Sequence, residues 1–199
     1  MSPAAIHGTK VLTTDVGQRS LVGKCNMNRN CPDYYCESSV DSSIIDTQEL
    51  ITYIRNLSPS SQKGTLRPLV QPVITPRFAL SCTSELMDAL GTLIASDGDV
   101  HIQTHLSENR TEITETLRSF PDCGSYTEVY ERYGMLREGT ILAHCVWLSD
   151  EEMEVIKRTG AGVSHCPTSN FNLMSGGAKV GAMLDKGLNV SWRPPHACS

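Results

Sequence analysis

The chain has 199 residues, enough for one sizeable core, with 39% hydrophobic and 20% charged residues, an ordinary globular balance. Its formal net charge of -5 argues against a general affinity for nucleic acid or an anionic membrane surface, and no apolar run approaches the roughly 20 residues that span a bilayer. Eight cysteines without a framework spacing, and an N-terminus, Met1 to His7, without the basic and apolar regions of a signal peptide, point to a cytoplasmic protein with reduced thiols.

Strands and helices alternate along the chain. Ser20 to Cys25 reads as a strand, followed by a polar loop through Ser39. Within that loop Cys31 and Cys36 flank Pro-Asp-Tyr-Tyr, a spacing open to a zinc clip. No second pair lies nearby, so two thiols in a polar loop is the simpler reading. Ser43 to Leu57 has the apolar spacing of an amphipathic helix, and a loop rich in Ser and Pro follows. Leu69 to Thr75 is the second strand, ending at Pro76-Arg77-Phe78, and Ser84 to Ser96 is helical. Val100 to His105 is the third strand. The next helix runs from Asn109 to Phe120, with Asn109 as N-cap and Glu112 three residues on. A further helical piece covers Thr127 to Tyr133, and Thr140 to Val146 is the fourth strand. Ser149-Asp-Glu-Glu152 has capping-box spacing and opens a helix closed by Gly160. Gly162 to Cys166 is the fifth strand, Ala178 to Lys186 a helix, and Leu188 to Ser191 begins a sixth strand, halted by the prolines after Trp192.

Repeated strand–helix units of this length imply parallel strands joined by right-handed crossovers. Six strands in 199 residues are too few to close a (β/α)8 barrel, which takes about 250. An open α/β sheet is the plainer alternative, but it leaves the placement of the histidines unaccounted for.

Arg77, His105, His144 and His165 all fall at the C-terminal ends of strands, where barrels and open α/β sheets keep their chemistry. His101, Gln103 and His105 alternate onto one strand face, and Glu108 follows in the next loop. A strand-end histidine with a carboxylate three residues later fits a metal that activates water beside a proton shuttle. His144 holds the same place in a later strand. Each residue also has a blander reading. His105 or His144 would be a core histidine satisfied by a carbonyl, and Glu108 an acid at a helix start. Arg77 would be a surface charge, Phe78 a buried aromatic, and His101 a core residue deeper on the same face.

The stretches at these strand ends resemble those of the guanine deaminases, zinc aminohydrolases of the amidohydrolase superfamily. They are Gly17 to Lys24, Thr75 to Cys82, His101 to Arg110, Leu142 to His144 and Ser164 to Asn170, and the resemblance covers roughly Gln18 to Val190. It implies an α/β fold of the metal-dependent hydrolase type, an incomplete (β/α)8 TIM barrel holding about the third to the eighth strand. The chain, 1–199, would form one partial barrel domain with atypical ends at 1–16 and 192–199. The implied activity is hydrolytic deamination of guanine to xanthine and ammonia by a zinc-activated water, a step of purine catabolism. His105 and His144 match two zinc ligands, Glu108 the proton-shuttling glutamate, and Arg77 and Phe78 the residues that hydrogen-bond and stack on guanine. His165 is expected to support the site or to be structural, and His7 and His196 have no expected role. The implied partners are guanine and, as is common in the family, a second copy in a homodimer.

The chain departs from the family pattern at both ends. The family's first strand brings an HxH pair of zinc ligands, and its eighth ends in a Gly-Thr-Asp whose aspartate completes the metal site. Neither motif occurs here. The expectation is therefore a truncated chain, inactive or nearly so by itself. Two alternatives stay open: a non-catalytic fragment or splice product that pairs with a full-length subunit, and a related aminohydrolase acting on another heterocycle.

Overall fold

The computed structural model describes residues 18–57 and 68–192. The Ser- and Pro-rich loop, most of the two atypical ends, His7 and His196 lie outside the described residues. The elements in chain order are β1 (Ser20–Val22), β2 (Cys25–Asn26), α1 (Val40–Leu57), β3 (Val70–Pro76), α2 (Ser84–Ser96), β4 (His101–Leu106), α3 (Arg110–Ser119), α4 (Tyr126–Arg132), β5 (Thr140–His144), α5 (Asp150–Thr159), β6 (Gly162–His165), α6 (Pro167–Asn172), α7 (Val180–Asp185) and β7 (Asn189–Trp192). Short 3-10 turns cover Asp33–Tyr35 and Ala79–Ser81. No helix among the described residues is long and apolar enough to cross a membrane.

All strand pairs are parallel, and the order is β1-β3-β4-β5-β6-β7 with β2 also on β3. Apart from the split first strand, each strand pairs with the next in sequence. A doubly wound sheet reverses its strand order at a switch point. This sheet does not reverse, so it winds one way, as a barrel wall does, and the plain open-sheet alternative falls. Among the described residues β1 and β7 stand at its two edges.

Alternation along β4 sorts the two faces. Ile102, Thr104 and Leu106 are buried toward the helices, whereas His101, Gln103 and His105 are half-buried on the opposite face. Leu21, Val73, Gln103, Ile141, Ser164 and Ser191 line a hollow on that inner face. The core lies on the helix side, where Ile74, Ile102, Leu106, Leu142 and Val163 of the strands meet Leu86, Leu90, Val129, Ile156 and Met183 of the helices. Each such aliphatic side chain contributes about 1.5–3 kcal/mol when fully buried.

The helix signals act as read. Asn109 and Ser149 accept from the backbone N–H of Glu112 and Glu152 in reciprocal capping boxes, and Gly160 closes α5 with φ 74°. Three elements differ from the expectation. The first strand is broken between Val22 and Cys25, and a Cβ on Gly23 in the break would lie 1.9 Å from the Val73 carbonyl oxygen. Only glycine lets the two backbones approach so closely. The six-residue helix α6 follows β6 directly, where the sequence showed only a strand ending at Pro167; proline at the first helical position starts it. Helix α7 is shorter at both ends than Ala178 to Lys186.

Candidate active site

The C-terminal ends of β3, β4 and β5 bring Arg77, His105, Glu108 and His144 together. His105 ends the inward-facing row of β4. Its Nδ1 lies 2.6 Å from the Arg77 carbonyl oxygen. A carbonyl only accepts, so Nδ1 carries the proton and the lone pair falls on Nε2. His144 is 2% exposed, and its Nδ1 lies 2.8 Å from Oδ1 of buried Asn170 and 3.4 Å from Oε1 of Glu108. Two acceptors on that nitrogen assign the same tautomer. The rings stack with centroids 5.2 Å apart and 22° between their planes.

The backbone turns sharply to place these groups. Ser107, His144 and Cys145 have φ of 50°, 73° and 50°. The left-handed conformation costs a non-glycine residue about 1–2 kcal/mol. The two strained loops hold each other: the Cys145 N–H donates to the Leu106 carbonyl at 2.9 Å, and those of Val146 and Trp147 donate to the Ser107 carbonyl at 3.0 and 3.1 Å. Concentrated at strand ends beside the paired imidazoles, this strain fits a site whose geometry is imposed by its surroundings.

Glu108 is held from the other side by Ser175, whose hydroxyl lies 3.3 Å from Oε1. The Trp147 indole N–H donates to the Ser175 carbonyl at 2.8 Å. Arg77 is exposed, with its guanidinium 5.3 Å from the centroid of the Phe78 ring, and Phe78 is half-buried and meets His105 edge-on at 6.3 Å. A planar cation and an aromatic face are thus presented together at the rim, a pairing suited to a flat heterocycle.

His165 also lies at this end. Its pKa is pushed down, first by burial and then by the charge of His144, and its buried Nδ1 has no hydrogen-bond partner. His101 is at the opposite end of β4, tied to Gln71 at 3.2 Å and the Gly139 carbonyl at 3.3 Å, in keeping with a structural role. The sequence singled out no role for Asn170, Ser175 or the Arg77 carbonyl. Asn170 stood inside the Ser164 to Asn170 stretch, and only the unforeseen helix α6 turns it toward His144.

In donor chemistry the two imidazoles suit a zinc ion, since each has its Nδ1–H engaged by an oxygen, the usual outer arrangement of a zinc-bound histidine. In number they supply two of the three protein ligands that a catalytic zinc takes. Among the described residues no group of three or more His, Cys, Asp and Glu that could hold a metal is present.

A model of the amidohydrolase family matches residues 5–192. The chain is 48% identical over 174 residues to a probable guanine deaminase of Schizosaccharomyces pombe, covering 87% of this chain and 32% of the relative. It is 45% identical to the guanine deaminase of Dictyostelium discoideum, covering 87% and 36% of the two, and 40% identical to that of Homo sapiens, covering 83% and 34%. Among solved structures, a guanine deaminase from C. acetobutylicum with guanine bound in the active site superposes with a TM-score of 0.83 at 39% identity, over 95% of this chain and 42% of that one. The chain spans about a third of the length of these curated relatives.

Proposed function

The chain belongs to the amidohydrolase family, and from that premise we propose that its site serves the hydrolytic deamination of guanine, with water replacing the exocyclic amine to give xanthine and ammonia. One observation carries the reading. Two stacked imidazoles, each with its Nδ1 engaged by an oxygen, and a carboxylate converge beside an arginine–phenylalanine pair, in a chain similar to several guanine deaminases.

His105 and His144 are the residues that would hold a zinc ion. When bound, such an ion supplies Lewis acidity that makes water a nucleophile near neutral pH. Glu108 takes the proton from the water and delivers it to the ring and then to the departing amine. Its position is set by Ser175 and by the neighbouring His144 ring. Phe78 stacks on the purine while the Arg77 guanidinium binds its edge, which fixes the ring for attack at C2. His165, at the end of β6, supports the site from beside His144.

The test is a graft. Residues 18–192 replace the matching segment of the Schizosaccharomyces pombe relative, and xanthine formation from guanine is followed. Turnover at the relative's rate, lost on Glu108→Gln, is expected. No xanthine, or a rate indifferent to Glu108→Gln, overturns the reading. The zinc-loaded chain alone, with two ligands in hand, is expected to be nearly inactive.

A second reading is favoured by the sheet edges. Strands β1 and β7 each have neighbours on one side only among the described residues, and exposed edges invite pairing with another chain. A non-catalytic chain that docks on a longer subunit would then co-elute with that subunit in size-exclusion chromatography.

A further inference from the structure

Beneath the site lies a buried polar chain that none of the roles above uses. Glu112, the capping-box residue of α3, is 8% exposed, and Tyr126 and Tyr130, one helical turn apart on α4, are fully buried. Oε2 of Glu112 accepts the backbone N–H of Glu108 at 2.8 Å and that of Asn109 at 3.3 Å. Oε1 accepts the Tyr126 hydroxyl at 3.0 Å. The tyrosine rings stack with centroids 5.4 Å apart. The Tyr130 hydroxyl donates to the His105 carbonyl at 2.7 Å. The backbone N–H of Ala79, next to Phe78, donates to the oxygens of Tyr126 and Tyr130 at 3.3 and 3.1 Å. The Thr104 hydroxyl lies 2.9 Å from the Tyr130 oxygen.

Proton bookkeeping fixes the direction of these bonds. Each phenol has one proton. That of Tyr126 goes to the carboxylate and that of Tyr130 to the His105 carbonyl, so both oxygens are left to accept from Ala79. This arrangement leaves no side-chain oxygen of Glu112, Tyr126 or Tyr130 without a partner. The polar chain ends on the backbone of three separate segments, those of Phe78, His105 and Glu108. Large apolar side chains would fill the same volume with no desolvation cost, so stability alone does not explain two buried phenols and a carboxylate.

We propose that Glu112, Tyr126 and Tyr130 are positioning residues that lock the segments bearing Phe78, His105 and Glu108 to one another. The inference rests on reading those three as site residues, but its test needs neither zinc nor guanine. Failure of the deaminase reading would thus appear in the graft assay and failure of this one in the spectra below.

Nuclear magnetic resonance of the full chain, with and without single substitutions, reads each tether separately. Tyr130→Phe keeps the ring and removes the bond to the His105 carbonyl. It is expected to move the His105 ring-nitrogen signals and to speed amide exchange at Ala79 about tenfold or more, as expected when a local tether opens. Tyr126→Phe is expected to perturb the Glu108 amide and to leave the His105 ring near its wild-type position. Glu112→Gln can keep the chain connected by donating to the Tyr126 oxygen, and is expected to leave the His105 signals near their wild-type positions while shifting the Glu108 amide. Unmoved His105 and Glu108 signals in the phenylalanine variants, or exchange accelerated evenly across the sheet, would overturn the proposal. Should Tyr130→Phe fail to fold, the Glu108 amide in Tyr126→Phe and Glu112→Gln decides the matter, since an unmoved amide there is equally fatal.

Discussion

His105 and His144 come from adjacent strands and stack at 5.2 Å, each with its Nδ1 facing an oxygen. The oxygens differ in kind. One is a main-chain carbonyl that no substitution of Arg77 removes. The other is the side chain of Asn170, which can be changed.

Zinc added to the purified chain is expected to bind through both rings. Either His105→Ala or His144→Ala should therefore weaken zinc by more than the roughly 10–100-fold that loss of an outer hydrogen-bond partner costs. Competition with a chromogenic chelator gives the affinities. Equal affinities in wild type and both variants would remove the rings from any metal site.

Asn170→Ala takes the acceptor from the His144 Nδ1–H and should weaken zinc about 10–100-fold. Asn170→Asp retains an acceptor at the same place and should recover most of that loss. The same titration reads both, and an alanine variant as tight as wild type would show that Asn170 does not orient the ring.

Ser107 has φ 50°, and its buried hydroxyl has no hydrogen-bond partner. Glycine removes the left-handed penalty of about 1–2 kcal/mol and the unsatisfied hydroxyl, against an added chain-entropy cost of about 0.5–1 kcal/mol. Ser107→Gly is expected to stabilise the protein by about 1 kcal/mol in urea denaturation. A destabilised variant would mean that the hydroxyl makes up for the strain.

Burial pushes the Glu112 carboxyl above the usual carboxylate range, even though the Tyr126 hydroxyl and the amides of Asn109 and Glu108 pull it down. A carboxyl whose folded pKa is raised contributes its linked stability in full below the unfolded value and loses it as pH climbs through the folded one. Glu112→Gln does not titrate. The stability of wild type minus that of the variant should therefore decline from about pH 4.5 toward neutrality. Denaturation curves across that range test the sign, and a difference that grows with pH contradicts it.

Gly23→Ala would press a methyl group into the Val73 carbonyl, 1.9 Å away. The cost is expected to exceed about 1–3 kcal/mol, the usual range for overpacking, because backbone on both sides must shift. A melting temperature unchanged in calorimetry would show that the first two strands can separate from β3 freely.

The strands and most helices were legible because their apolar spacing switches cleanly between periods of two and 3.6. His105 and His144 were legible because each ends a strand. Gly23 was not, since a glycine in a strand announces a close approach only once its neighbour is known. Helix α6 was too short to show a period, and with it Asn170 stayed without a role. Glu112 was legible as a cap through Asn109, three residues before it. Its second task depends on Tyr126 and Tyr130, whose spacing of four reads equally well as ordinary core.

Because β3 to β6 each lie against the strand that follows, the wall is assembled from contacts between consecutive segments. Neighbours of this kind are joined by single helical crossovers, so each pairing closes a limited stretch of chain rather than the whole domain. Such a design is additive: a βα repeat joined to either rim would extend the curve without rethreading what is already wound.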